Sequence, residues 1–587
     1  MGFNSGEGEG GEVKSLRYAS LVFLVTLVLY LRLVPVVMAL WKITGDEPHY
    51  LIAAHSIVID HDLDLKNNYL NADYSKFYIL AYLDMHTKIQ PDGKHFLSHD
   101  IGLPFLMAPA YAWKEREGVM IFFAFVGAAL AAQMFLLAYE VTTKWWAATL
   151  AWLTMLLSVP ITIYVFQIYP EAIGGLLVLW SMRQILRAPN WIAPSRFTLA
   201  HIIALAVALS LLTWLSARYA PIVLLLLGLL IAKHFLDRRI IIVIVSSLIS
   251  LAFYILVNVI LFKGLTRGGD AVTGGFSNSQ AQQITRGLVA WWFDQQRGLL
   301  VYAPSLIIAL IGLPHLYRLR GRDGVTLIAP LVLIWILASA WGGFFIAFEI
   351  TAKFLIVAIP LLTAATAAAF ARARLILLMP LSAALITFSA INTYTIFLNP
   401  YLALYDSPVK FYEEATRQQL RQYLPALGTR YIEFPPQGDE WIARAGQVGY
   451  VHQSKPIIDL AVGWYKLYAQ AQFTNVRDAT RAALTFDVFA SETGFSLGYG
   501  EVKPEGKVDI AIPFFNPYYD KWRFPLLLDI KTTGVADVRL SSILIEPDPV
   551  ESYKRVGVWG GIILALIILF AYKRRPPTSN LHSPTRG

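Results

Sequence analysis

The chain has 587 residues, of which 56% are hydrophobic and 15% charged, with a net charge of +9 at neutral pH. A soluble protein with that balance and a mean hydropathy of +0.53 would expose extensive apolar surface, so a bilayer is the expected solvent. With no cysteine in the sequence, disulfides, thiol nucleophiles and thiolate metal sites are excluded.

Residues 1–15, rich in Gly and Glu, read as a disordered cytoplasmic tail rather than a signal peptide. Apolar runs long enough to cross ~30 Å at 1.5 Å per residue follow near 16–40, 118–141, 146–166, 172–187, 198–216, 220–236 and 240–262. Further runs lie near 298–317, 325–341, 354–370, 375–397 and 556–572. Together they predict a polytopic α-helical membrane protein of about twelve spans.

Threaded alternately from a cytoplasmic N-terminus, every inner gap is basic. These gaps hold Lys14 and Arg17, Lys144, Arg183 with Arg187 and Arg196, and Lys233 with Arg238 and Arg239. Arg318, Arg320 and Arg322, then Arg372 and Arg374, and a tail at 573–587 that begins Lys573-Arg574-Arg575 complete the set. The positive-inside rule thus predicts a multi-pass protein of the plasma membrane with both termini cytoplasmic. The basic residues are topology signals, not a nucleic-acid patch, and the 13% aromatic content suits interfacial belts.

The outer side receives the connections 41–117, 167–171, 217–219, 263–297 and 342–353, within a membrane part spanning 16–397. A segment at 398–555 follows, before the last span at 556–572. In 398–555, VKFYEEATRQQLRQYL reads as helix, whereas AALTFDVFAS, GKVDIAIPFF, FPLLLDIKTT and VRLSSILIEP alternate with period two. They predict an extracytoplasmic, mainly-β domain of sandwich type.

Charged residues are scarce within the predicted spans; Arg32, in the outer third of the first, can snorkel. The polar residues instead collect at outer helix ends, where a lipid-linked substrate would present its headgroup. The most informative stretch is Gly45-Asp46-Glu47-Pro48-His49-Tyr50, at the end of the first span. Asp46 or Glu47 would cap a helix with Pro48 in its first turn, and LIAAHSIVI would lie along the interface. Capping needs only one acid, and a second carboxylate at this level could serve as general base on an acceptor hydroxyl.

An acidic pair directly after the first span, in a long outer loop, resembles the GT-C glycosyltransferases, among them the protein O-mannosyltransferases and the aminoarabinose-to-lipid A transferases. The resemblance extends to DHDLDLKNNY (60–69), SHDIGLPFLMAPAYAW (98–113), QIYPEA (167–172), WWFDQQRGLLVYAPSL (291–306) and WGGFFIAFEITAKFLIVAIPLL (341–362). It covers roughly residues 16–400 and implies transfer of a sugar from a polyprenyl-phosphate donor to an acceptor outside the cytoplasm. It maps the base or acceptor-positioning group onto Asp46, with Glu47 beside it. His99-Asp100 stands where the mannosyltransferases have His-Pro-Pro, with Asp100 in place of the first proline.

A leaving polyprenyl phosphate needs cationic stabilisation. Lys353, Arg297 and Arg218 sit at outer helix ends and are the candidates, each otherwise an interfacial anchor beside aromatics. His49, His99, Asp100, Glu171 and Glu349 are candidates for positioning substrate. Asp60, His61, Asp62 and Asp64 lack the spacing of a calcium loop and read as a solvated turn. No cofactor is specified, and a divalent metal stays open without assigned ligands.

The expected partners are a lipid-linked sugar donor, membrane lipids and a protein, lipid or glycan acceptor, with no nucleic acid. The alternatives are a flippase or transporter of lipid-linked glycans, which calls for ionisable groups at mid-membrane, and a glycan polymerase or ligase.

Overall fold

The computed structural model describes residues 5–43, 45–78, 82–186, 198–234, 236–262, 278–340, 351–373, 375–400, 409–418, 420–427, 432–434, 440–457, 460, 463–517 and 525–571. The membrane part opens with α1 (Ser5–Leu40), followed by the short α2 (Glu47–His55). Then comes α3 (Gly102–Thr142), two helices joined at a break where Lys114 and Glu115 leave helical geometry. Trp145–Leu156 and Val159–Val165 are two helices that meet at a bend of 66°. The bend falls where Ser158 is extended and Pro160 opens the second helix, as proline's missing N–H favours.

Among the described residues, seven helices are long and apolar enough to cross a membrane, or eight if the bent pair counts as one span. The sequence expectation of about twelve is met only to that extent. The runs near 172–187 and 198–216 form α4 (Glu171–Leu186) and Leu199–Leu215, of 16 and 17 residues. At 1.5 Å per residue their described parts cover about 24–26 Å of the ~30 Å apolar core. The run near 298–317 is split into Leu299–Tyr302 and α5 (Leu306–Arg320), and that near 354–370 into two 3-10 turns and α6 (Leu362–Arg372).

Small residues allow the close approaches. A Cβ on Gly127 of α3 would meet the Tyr30 ring of α1 at 2.6 Å, so the first span can lie tightly against the third helix. A Cβ on Gly312 of α5 would collide with the Ala365 carbonyl of α6; only glycine permits that backbone contact.

The segment after residue 408 has the expected mixed character. Helix Val409–Thr416 ends where Arg417 turns left-handed (φ 55°), earlier than the sequence suggests. Across the break the buried Glu413 accepts from the Arg421 backbone N–H and from its Nε, each at 2.8 Å, which pins the 3-10 turn that follows. Two antiparallel sheets come next. One has the order β5 (Gly449–Gln453), β10 (Leu526–Thr532), β7 (Leu484–Ala490), β8 (Ser496–Val502). The other runs β3 (Ile432–Glu433), β11 (Asp537–Pro547), β6 (Gly463–Thr474), β9 (Lys507–Asn516), with β4 (Trp441–Ala443) also on β11.

Alternate residues such as Leu467, Phe486, Ile512, Ile530 and Leu540 fill one core between the sheets, the packing that period-two sequences require. On β11 the alternation slips at Ser541, where a bulge shifts the register against β6. The last helix, α7 (Pro549–Ala571), returns the chain to the membrane.

Candidate functional site

The site forms where α1 ends. Trp41 Nε1 donates to the Phe397 carbonyl at 2.8 Å and Arg116 Nη2 to the Trp41 carbonyl at 2.7 Å, fixing the turn that leads to Asp46. Gly45 has a φ of +60°, and a Cβ there would stand 2.7 Å from the Tyr169 hydroxyl. Both the backbone sign and the space therefore require glycine.

The capping expectation is corrected here. Asp46 occupies the N-cap position of α2, but its side chain makes no cap hydrogen bond. Glu47 is spent elsewhere: its buried carboxylate accepts the Ile168 backbone N–H at 2.8 Å. The Asp46 backbone N–H in turn donates to the Tyr169 hydroxyl at 3.3 Å. The GDEP and QIYPEA segments are thus clamped together, with the Asp46 side chain left partly exposed. Nor does α2 lie on an interface, since every residue from Glu47 to His55 is buried in the protein.

Around the Asp46 carboxylate stand one ammonium and a group of imidazoles. Lys353 Nζ lies 3.5 Å from Oδ2, with side-chain exposures of 6% for the lysine and 27% for the aspartate. The same Nζ sits 3.8 Å above the centre of the Tyr169 ring, a cation–π contact. On the other oxygen, Oδ1, converge His86 Nδ1 at 3.8 Å and His99 Nε2 at 3.6 Å. These two nitrogens are 3.1 Å apart. His49 stacks on the His86 ring (3.8 Å between centres, 17° between planes) and shares a 2.6 Å hydrogen bond with the Tyr69 hydroxyl.

Burial pushes the Asp46 carboxyl up, but Lys353, His99, His86 and His49 outweigh it and hold it below the usual carboxylate range. Burial lowers His49 to about 3, assisted by His86 and His99, so its ring is neutral. Burial likewise lowers His99 to about 4, against the pull of Asp46.

His86 was not singled out from the sequence. It stands beside His99 because two short strands, β1 (Thr87–Ile89) and β2 (His95–Leu97), pair antiparallel. The turn between them is Gln90-Pro91-Asp92-Gly93, with Gly93 at φ +81°. The next rung, Ser98 N–H to the His86 carbonyl at 2.9 Å, sets residues 86 and 99 side by side. Asp-Gly between two short apolar-alternating stretches is a hairpin signal, and it was the legible clue.

The other candidates fall around this centre. Lys353 follows Ala352, held at φ +61°, a conformation that costs a non-glycine residue on the order of 1–3 kcal/mol. The Thr351 hydroxyl donates to the Arg297 carbonyl, and the Arg297 N–H bonds Asp294 Oδ1 at 2.9 Å. Arg297 thus anchors the Lys353 segment through its backbone, and its guanidinium is not among the charges acting most strongly on Asp46. Arg218, exposed, lies over the ring of Phe354, 4.2 Å from its centre, one residue from Lys353.

Glu171 is buried with Oε2 unpartnered among the described residues, and the Lys353 and Arg218 charges reach it. Asp100 is engaged in holding the outer hairpin, accepting from Ala217 N–H at 3.1 Å and Tyr254 Oη at 2.5 Å. Glu349 lies outside the described residues. The acids at 60–64 shape a turn: Asp62 Oδ1 accepts from Ser56 Oγ, Asp64 Oδ1 from His95 N–H, and Asp60 Oδ2 from Asn68 Nδ2.

No known family's sequence profile matches the chain, and no curated protein matches it. Solved structures similar to it include ArnT from Cupriavidus metallidurans in the apo state, 15% identical over 62% of this chain and 60% of that one, with a TM-score of 0.38. The same protein bound to undecaprenyl phosphate is 14% identical over the same shares, with a TM-score of 0.37. Arabinosyltransferase EmbB from Mycobacterium smegmatis is 9% identical over 89% of this chain and 64% of that one, with a TM-score of 0.33. The chain thus spans about three fifths of the length of the ArnT structures and somewhat more of EmbB.

Proposed function

We propose that the chain is a membrane glycosyltransferase that moves a sugar from a polyprenyl-phosphate donor to an acceptor hydroxyl outside the cytoplasm. The observation that carries this reading is the Asp46 carboxylate. It is free of any capping bond, partly open, and 3.5 Å from a buried ammonium on Lys353. A base and a phosphate-binding cation are thereby held side by side at the level where a span ends.

In a single displacement, the acceptor oxygen attacks the anomeric carbon as its proton passes to Asp46. The bond from that carbon to the phosphate oxygen breaks, and the departing polyprenyl phosphate takes the electron pair. Lys353 meets the growing charge, with Arg218 on the adjacent Phe354 and Arg297 at the neighbouring outer helix end as further phosphate-binding cations. Glu47 holds the loop that carries Asp46. His49, His99, Glu171 and Glu349 position sugar or acceptor hydroxyls, and Asp100 holds the outer hairpin beside them. The β-domain at 398–555 holds the acceptor or caps the site.

The purified protein, incubated with polyprenyl-phosphate mannose and with the glucose analogue, is expected to transfer or hydrolyse at least one of the two. Inertness toward both and toward polyprenyl-phosphate pentoses would discard the reading in favour of a lipid-linked oligosaccharide substrate or a transporter. The outward orientation rests on the basic inner gaps. A reporter fused after Pro425 is therefore expected to be active only outside the cytoplasm, and cytoplasmic activity would reverse the whole scheme.

A further inference from the structure

We propose that Asp46 Oδ1, His86 Nδ1 and His99 Nε2 form a binding site for one divalent transition-metal ion of the zinc type. The three atoms are 3.1, 3.6 and 3.8 Å from one another, which leaves a point about 2.0 Å from all three. That is the length of a zinc–nitrogen or zinc–carboxylate bond. The cluster is also the one group among the described residues whose histidine and acidic donor atoms converge this closely. Without an ion, two imidazole nitrogens facing each other can share only one proton, and the carboxylate oxygen lies beyond hydrogen-bond reach of both. An ion satisfies all three at once.

The surroundings hold the donors in a form that suits a metal. His86 is fixed by the strand pairing of 87–89 with 95–97 and by the His49 ring stacked on its face. His49 is itself held by Tyr69. Such outer-shell partners orient ligating imidazoles. Two imidazoles and one carboxylate favour zinc, cobalt or iron over magnesium and calcium.

Three protein ligands with partly open side chains, 42% for His86 and 27% for Asp46, leave room for an exogenous ligand. That is the pattern of a reactive rather than a structural zinc. The role of the ion rests on the proposed transfer reaction: its open position and Lys353 would each take an oxygen of the donor phosphate. Coordination through Oδ1 alone leaves Oδ2 to accept the acceptor's proton.

The test is a cobalt titration of the full chain, purified without a polyhistidine tag and stripped with chelator. The parent is expected to develop a visible ligand-field band that saturates at one equivalent. His86→Gln and His99→Gln are each expected to weaken binding by more than about 100-fold, beyond the loss caused by removing an outer-shell partner. His61→Gln, outside the cluster, is expected to leave the band intact. A parent that shows no saturable band overturns the site, whatever the variants do. A band that survives in folded His86→Gln and His99→Gln protein overturns it as well. Sugar transfer at full rate by a parent that develops no saturable band on titration would discard the ion and keep the reaction. A saturating band in a parent inert toward every polyprenyl-phosphate sugar would keep the ion and discard the reaction.

Discussion

Asp46→Asn is expected to lower sugar transfer by about 10²-fold or more while expression and membrane insertion stay at parental levels. Asparagine preserves the size of the side chain. The constraints that place it, Gly45 in its left-handed turn and the backbone bond to Tyr169, do not involve the carboxylate. What is lost is the capacity to take a proton. The pH profile provides the sign. Asp46 acts as a base only when deprotonated, and its surroundings hold its pKa below the ordinary range. The parental rate is therefore expected to be flat through neutral pH and to fall only under distinctly acidic conditions. An acid limb near ~6.5 would point to an imidazole as the base instead. Glu47→Gln is expected to keep most activity, because a glutamine carbonyl can still accept the Ile168 N–H. If Glu47→Gln is dead and Asp46→Asn active, the two roles are exchanged. If both variants work, neither residue is the base.

The contrast between these neighbouring acids marks how far the sequence could be read. The acidic pair at the end of the first apolar run stood out because two adjacent carboxylates exceed what one helix cap requires. Which of them stays partly exposed depends on Ile168 and Tyr169, more than 120 residues away, and no local pattern encodes that. Strands β7, β9, β10 and β11 were legible because each buries one face on a single core, so period two survives in the sequence. Strand β6 also alternates in burial, but GWYKLYAQAQFT interleaves small and polar residues that blur its inward set. Apolar length marked long apolar helices where the helix runs unbroken. It could not predict the bend at Ser158–Pro160 or the division of 298–317 by Pro304 into Leu299–Tyr302 and α5. His86 was passed over because its significance comes from pairing across a hairpin, and a lone histidine in a polar loop carries no signal of its own.

Lys353→Ala is expected to raise the donor KM and also to lower kcat, by about 10²-fold or more. A ground-state anchor would move KM alone. The argument starts from charge: as the glycosidic bond breaks, the phosphate gains negative charge, so a fixed cation favours the transition state over the bound donor. Lys353 is suited to this because it is fixed. Its ammonium is buried, packed on the Tyr169 ring and 3.5 Å from Asp46, so little reorganisation accompanies the reaction. Arginine at this position keeps the charge and offers a fork that matches phosphate. Lys353→Arg is therefore expected to recover much of the activity, and Lys353→Met none. A second readout separates this role from simple packing. Lys353 is the largest of the influences lowering the Asp46 pKa, set against burial, which raises it. Removing the ammonium lets burial prevail, so the acid limb of the residual activity should move to higher pH in Lys353→Ala and Lys353→Met. It should stay in place in Lys353→Arg. An unchanged kcat together with an unmoved acid limb would reduce Lys353 to an anchor, and the phosphate-binding role would pass to Arg218, the cation seated on the next residue's ring.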